Sequence, residues 1–164
     1  VELKVRPRLV GAMIDYLPPS ALAILQALTQ EKKGAHLSFA VPMLPPTVNH
    51  AYIHTRFNAR LSEEYKVFKT VVAQTVKITN PVFKISATAC VMILLESPRW
   101  ITKKHTIRTM DLDNRVKPML DAIKDAIKSP DETNWELHVY KIASKREQTT
   151  VAIFDLGDVV NYHQ

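Results

Sequence analysis

The chain has 164 residues, 46% of them hydrophobic, and carries 22 Lys and Arg against 16 Asp and Glu. That length can bury one substantial core and argues against a second large domain, while the net charge of +6 favours polyanionic partners. Three glycines leave no Walker-type or dinucleotide-binding loop and so no nucleotide cofactor, and the single cysteine, Cys90, leaves neither a disulfide framework nor a cysteine zinc site. The longest apolar stretch, residues 89–95, is too short to span a bilayer, and the first residues lack a signal-peptide core. A soluble cytoplasmic protein with no membrane partner is expected.

Residues 1–35 read as an N-terminal extension, in which Ser20 follows Pro18-Pro19 and can cap a short helix from Ala21 to about Thr29 with Leu22, Leu25 and Leu28 on one stripe. From His36 the alternation of Leu37, Phe39 and Val41 predicts a strand, ended by Pro42. Pro45-Pro46-Thr47-Val48-Asn49-His50-Ala51-Tyr52 follows, with Arg56 and Arg60 beyond it. Basic groups interleaved with Tyr52, His54 and Phe57 suit phosphate contacts and base stacking, although a solvated basic loop has the same composition. His50 and His54 are four apart, as helical metal ligands can be, but the prolines and Asn49 argue against a continuous helix. Ser62 predicts the cap of a helix from Glu63 to about Lys77, with Tyr65, Phe68, Val72 and Val76 on its buried face. After Asn80-Pro81, residues 82–96 form a β-rich run in which Phe83, Ile85, Ala87, Ala89, Val91, Ile93 and Leu95 are all apolar, as in a central strand.

A dense cationic loop comes next, with Arg99, Trp100, Lys103, Lys104, His105 and Arg108. It runs directly into Asp111-Leu112-Asp113-Asn114, whose two carboxylates point to the same side in an extended approach and can share one ion. Asp113 reads as the N-cap of a helix over 113–128, since Val116, Met119, Leu120, Ile123 and Ile127 repeat at helical spacing. Asp113, Lys117 and Asp121 then fall one turn apart on its polar stripe, and Pro118 is expected to lie in a first turn. Hard oxygen ligands of this kind suit Mg²⁺ or Mn²⁺, while a surface ladder of alternating charges accounts for the same spacing. Residues 129–134 read as a turn, and Trp135–Ser144 and Thr149–Leu156 as an antiparallel pair joined by a polar turn, followed by a tail over 158–164.

Taken together, the Pro45–Tyr52 segment, Asp111-Leu112-Asp113-Asn114 with Lys117 and Asp121, and Pro130-Asp131 before Glu136-Leu137-His138-Val139 resemble the RusA family of Holliday-junction resolvases over about residues 36–156. The specific part is Asp-Leu-Asp-Asn with a lysine three residues after the asparagine. The resemblance implies one α/β (α+β) domain over 36–157, with a mixed or antiparallel sheet packed with helices. It also implies a homodimeric, magnesium-dependent endonuclease of phage or bacterial origin, active in DNA recombination and repair, that cuts four-way DNA junctions by symmetric nicks. Asp111, Asp113 and Asp131 would then hold Mg²⁺, with Mn²⁺ as a substitute, and Lys117 would complete the catalytic set. Asn49, Tyr52, Arg56, Arg60, Lys103, Lys104 and Arg108 would contact DNA. Pro130 stands where the family has the first of two adjacent acids, so a one-residue shift would make Glu132 the ligand. The same departure keeps open a junction-binding protein of this fold with impaired catalysis, and the Asp-x-Asp pattern alone also admits a transferase or phosphatase acting on a small phosphorylated substrate.

Overall fold

Strand β4 (Thr88–Ser97) is buried from Ala89 to its end, on both faces, as an uninterrupted apolar run requires. The computed structural model describes residue 22 and residues 36–106, 108, 112–129 and 133–157. Besides β4, its elements are β1 (His36–Val41), α1 (Val48–Ala51), β2 (Tyr52–His54), β3 (Ala59–Leu61), α2 (Glu63–Thr79), a single 3₁₀ turn (Pro98–Trp100), α3 (Asp113–Ile127), β5 (Asn134–Ala143) and β6 (Gln148–Gly157). The main sheet has the order β1-β6-β4-β5, and β2 and β3 form a separate two-stranded ribbon. Mixed pairing and flanking helices agree with the expected α+β class. The N-terminal extension apart from Leu22, and the tail, lie outside the described residues.

The expectation of an antiparallel β5–β6 pair is corrected by the register. β5 lies parallel to β4 on one edge, and β6 lies antiparallel to it on the other. A strand hidden from water on both faces needs a partner for the backbone groups along each edge, and the last two strands supply one each. The polar connection between them therefore steps across the C-terminal end of β4. There the nearly buried Glu96 receives Arg146 at 3.4 Å and the Gln148 amide at 3.0 Å, while Arg99 pairs with Glu147 at 2.9 Å. The strand also begins later than the apolar alternation suggests. Pro81 and Val82 form a turn, and Val82 is 79% exposed, although Phe83 still reaches the core.

Helices α2 and α3 cover one face of the sheet, where Val91, Ile93 and Leu95 of β4 meet Phe68 and Val72 of α2 and Met119 and Ile123 of α3 in one cluster. The other face carries Cys90, Met92, Leu94, Ala152 and Phe154, with Leu22 packed against them. Burial, with a smaller contribution from Glu136, pushes the Cys90 thiol up to about 12, so it is a neutral packed group near pH 7. The Ser62 hydroxyl caps α2 as expected by accepting the Tyr65 N–H at 3.1 Å. In α3 the cap differs: Leu112 takes the flanking position with helical dihedrals, and Asp113 is the first helical residue. Pro118 is consequently the sixth residue, beyond the first turn, and it is buried against α2, where the Tyr65 hydroxyl donates to its carbonyl at 2.9 Å. Lys128 closes the helix at φ 54°, in the left-handed conformation that glycine usually provides. No described helix is long and apolar enough to cross a membrane.

Met119 is fully buried where α3 meets the sheet. Met119→Ala should lower the unfolding free energy by about 2–4 kcal/mol through lost burial and a residual cavity. Urea denaturation followed by tryptophan fluorescence measures this, and a loss below about 1 kcal/mol would contradict the packing described.

Candidate functional site

The polar stripe of α3 forms the centre of the site. Asp113 is exposed in the first turn, where the helix dipole favours a carboxylate, and it has no ion-pair partner among the described residues. Lys117 stands one turn further along, its side chain 65% exposed and its ammonium 3.5 Å from Asp121. The same Asp121 oxygen accepts a 2.6 Å hydrogen bond from the Tyr52 hydroxyl, which β2 delivers from 69 residues earlier in the chain. The Tyr52 ring packs edge-on against Tyr65 at 5.6 Å, and Tyr65 is the residue that holds the Pro118 carbonyl. Beyond Asp121, Lys69 of α2 makes an ion pair with Asp125. Lys117 is thus the exposed end of a supported row.

Tyr52 is held neutral to above the usual phenol range, first by burial and then by its bond to Asp121. Tyr65 shifts in the same direction, mainly through burial. Both effects favour the protonated hydroxyls that the two hydrogen bonds require.

The Pro45–Tyr52 segment is fixed from below by Arg115. This side chain is nearly buried and donates from its guanidinium to the Pro45 carbonyl, and burial lowers its pKa. Sequence reading missed Arg115. Its signal was a charged residue on the same helical face as Leu112 and Met119. Asn49 and His50 are exposed on α1, which ends before His54 in β2, so the two histidines do not share a helix.

Cationic groups surround this centre on two projections. The β2–β3 ribbon carries exposed Arg56 and Arg60 and places Phe57, 84% exposed, near its turn, with the Arg56 guanidinium 5.6 Å from the ring centre. In the segment before α3, Lys103, Lys104 and His105 are exposed around a turn closed by Thr102 N–H to Thr106 at 2.8 Å, and the Arg108 N–H returns to Trp100 at 2.8 Å. Trp100 itself is buried, its indole N–H donating to the Leu95 carbonyl at 2.7 Å, and Arg99 is engaged with Glu147. Lys103, Lys104 and Arg108 have no ion-pair partner among the described residues. Asp111, Pro130, Asp131 and Glu132 lie outside the described residues.

A family model described as endodeoxyribonuclease RusA matches residues 42–154 of the chain. Comparison with curated proteins finds no match. The matched span includes Asn49, Tyr52, Lys117 and Asp121, and so contains the row just described.

The Tyr52–Asp121 bond gives a direct test. A raised phenol pKa stabilises the fold below pH about 10, and that contribution is lost as pH rises through the folded value. Asp121→Asn should bring Tyr52 down toward the ordinary range, as read from phenolate absorbance with Tyr52→Phe as the assignment control. An unchanged titration would mean that Asp121 does not hold Tyr52.

Proposed function

The chain belongs to the RusA family of endodeoxyribonucleases, enzymes that resolve Holliday junctions, and from that premise we propose that it cuts four-way DNA junctions by paired nicks in a Mg²⁺-dependent hydrolysis. The observation that carries this reading is the row of Asp113, Lys117 and Asp121 on α3, exposed at its start and braced by Tyr52 behind it. Asp113 presents hard oxygen donors with no competing ion pair among the described residues, which fits Mg²⁺, and Mn²⁺ is the natural substitute. Bound there with Asp111, the ion would polarise the scissile phosphate and lower the pKa of an attacking water. Lys117 would offset negative charge on the reacting phosphate, and Asp121 would position Lys117. Arg56, Arg60, Lys103, Lys104 and Arg108 would hold the DNA backbone, together with the exposed Asn49. Tyr52, read from the sequence as a DNA contact, is assigned to bracing because its hydroxyl is committed to Asp121.

The third carboxylate supports a homodimer. Asp131 and Glu132 fall between Ser129 and Thr133, whose hydroxyls are 2.7 Å apart. Ser129 follows the end of α3, and fifteen helical residues put that end about 22 Å from Asp113. Asp131 follows that end of the helix in sequence, and in this reading it would serve the site of a second copy rather than the ion held by Asp113 of its own chain. A two-fold dimer places two such shared sites to act on the two symmetry-related strands of a junction.

Mixed subunits test this arrangement. Asp113→Asn and Asp131→Asn should each abolish nicking of a synthetic junction while retaining binding. Co-assembled, they should regain one working site per mixed dimer, because one site then holds both intact carboxylates. No recovery on mixing would sink the shared-site reading, and Glu132→Gln replacing Asp131→Asn in the same experiment would locate a shifted register. Junction binding without nicking by the unaltered chain would leave only the binding role.

The cationic loop should behave differently. Lys103→Ala should weaken binding to junctions of any sequence and reduce the slope of log affinity against log salt by about one charge, with cleavage of bound DNA preserved. Titrations at several salt concentrations measure it.

A further inference from the structure

The face of the sheet away from α2 and α3 carries a group of side chains that junction cleavage does not use. Cys90 of β4 and Glu136 and His138 of β5 each offer one ligand atom, and those atoms lie within 4.8 Å of one another. Cys90 is completely buried, the His138 side chain is 23% exposed and that of Glu136 48% exposed, so the group runs from the floor of the sheet outward to solvent. His138 Nε2 and Glu136 Oε2 are 3.4 Å apart, too far for a strong hydrogen bond, and both atoms keep capacity for another partner.

A break in strand register brings these groups together. Ala89 pairs with Asn134, but the next residue, Cys90, pairs with Glu136, so one residue of β5 is passed over. In an unbroken ladder residue 135 would face Cys90, and Glu136 and His138 would stand opposite Val91 and Ile93, within the apolar cluster under the helices. The bulge turns both onto the face of Cys90 instead. Re-aiming side chains is a recurrent use of such bulges.

We propose that Cys90, Glu136 and His138 form a site for one borderline-soft divalent cation, of which Zn²⁺ is the type, with the fourth position open to water. A sulfur and an imidazole donor select zinc over magnesium, and the carboxylate completes a set of three protein ligands. Zinc bonds of about 2.0–2.3 Å in a tetrahedral arrangement need ligand atoms closer than those at the limit of the present span, and the half-exposed Glu136 has room to move inward. Binding releases the thiol proton to solvent, with no change of oxidation state. The ion ties the start of β5 to β4, immediately after the segment that carries Asp131 and Glu132. None of its ligands belongs to the α3 row, so the two sites can be tested separately. The single cysteine is enough here because the other donors are nitrogen and oxygen.

The test uses the full chain in excess Mg²⁺ and requires no nuclease assay. Co²⁺ should bind at one equivalent and give a thiolate-to-cobalt charge-transfer band in the near ultraviolet, which Zn²⁺ removes. Zn²⁺ should also raise the thermal unfolding midpoint. Cys90→Ser should abolish the band. Should that buried substitution prevent folding, His138→Gln and Glu136→Gln lie at partly exposed positions, and each should weaken Zn²⁺ binding at least about tenfold, since even outer-shell losses cost 10- to 100-fold. Cobalt binding without the band, or zinc affinity unchanged in His138→Gln, overturns the proposal.

Discussion

A strand that is apolar on both faces must be covered twice and paired along both edges, and β4 imposes this requirement on everything around it. Its helix-side residues are covered by α2 and α3, and its opposite face receives Leu22. Its two edges take β5 and β6. A parallel neighbour cannot be reached by a tight turn, so the chain crosses over between β4 and β5, and α3 lies in that crossover. A helix returning from the carboxyl end of a strand starts near that end, where open α/β sheets commonly place their ligands. The position of Asp113 and Lys117 thus follows from the pairing of β4.

Holding that helix in place involves polar contacts as much as apolar ones. Tyr65 reaches the Pro118 carbonyl, Tyr52 reaches Asp121, Lys69 reaches Asp125 and Arg115 reaches Pro45. Each joins α3 to a segment distant in sequence, and together they fix both the rotation of the helix and the height of the Pro45–Tyr52 segment beside it. Rigid support of this kind allows a lysine on an exposed helix face to keep one orientation.

Local signals in the sequence were reliable where the structure is local. The hydroxyl of Ser62 and the spacing of Tyr65, Phe68, Val72 and Val76 marked α2 because caps and helical periodicity act within a few residues. The carboxylate–lysine row on α3 was legible for the same reason. The partner of β6 was not, because a short polar turn suggests a hairpin whether or not another strand lies between its arms. Asp113 reads as a cap in sequence, but the helical dihedrals of Leu112 shift the start of α3 by one residue. The Tyr52–Asp121 bond and the Cys90 group could not be read at all, since the first spans 69 residues and the second depends on a one-residue bulge.

The sheet order also bears on synthesis of the chain. Among the described residues β1 pairs only with β6, so His36 waits for Phe154, and β4 has one edge unpaired until the same strand arrives. Loop closure over more than a hundred residues makes such pairing slow. A ribosome-bound chain can form α2 early, but it holds two unsatisfied strand edges until residues 148–157 have left the exit tunnel. The last of the described strands to be made is therefore the one that closes the sheet, and premature termination shortly before it would release a product with aggregation-prone edges rather than a slightly shortened protein.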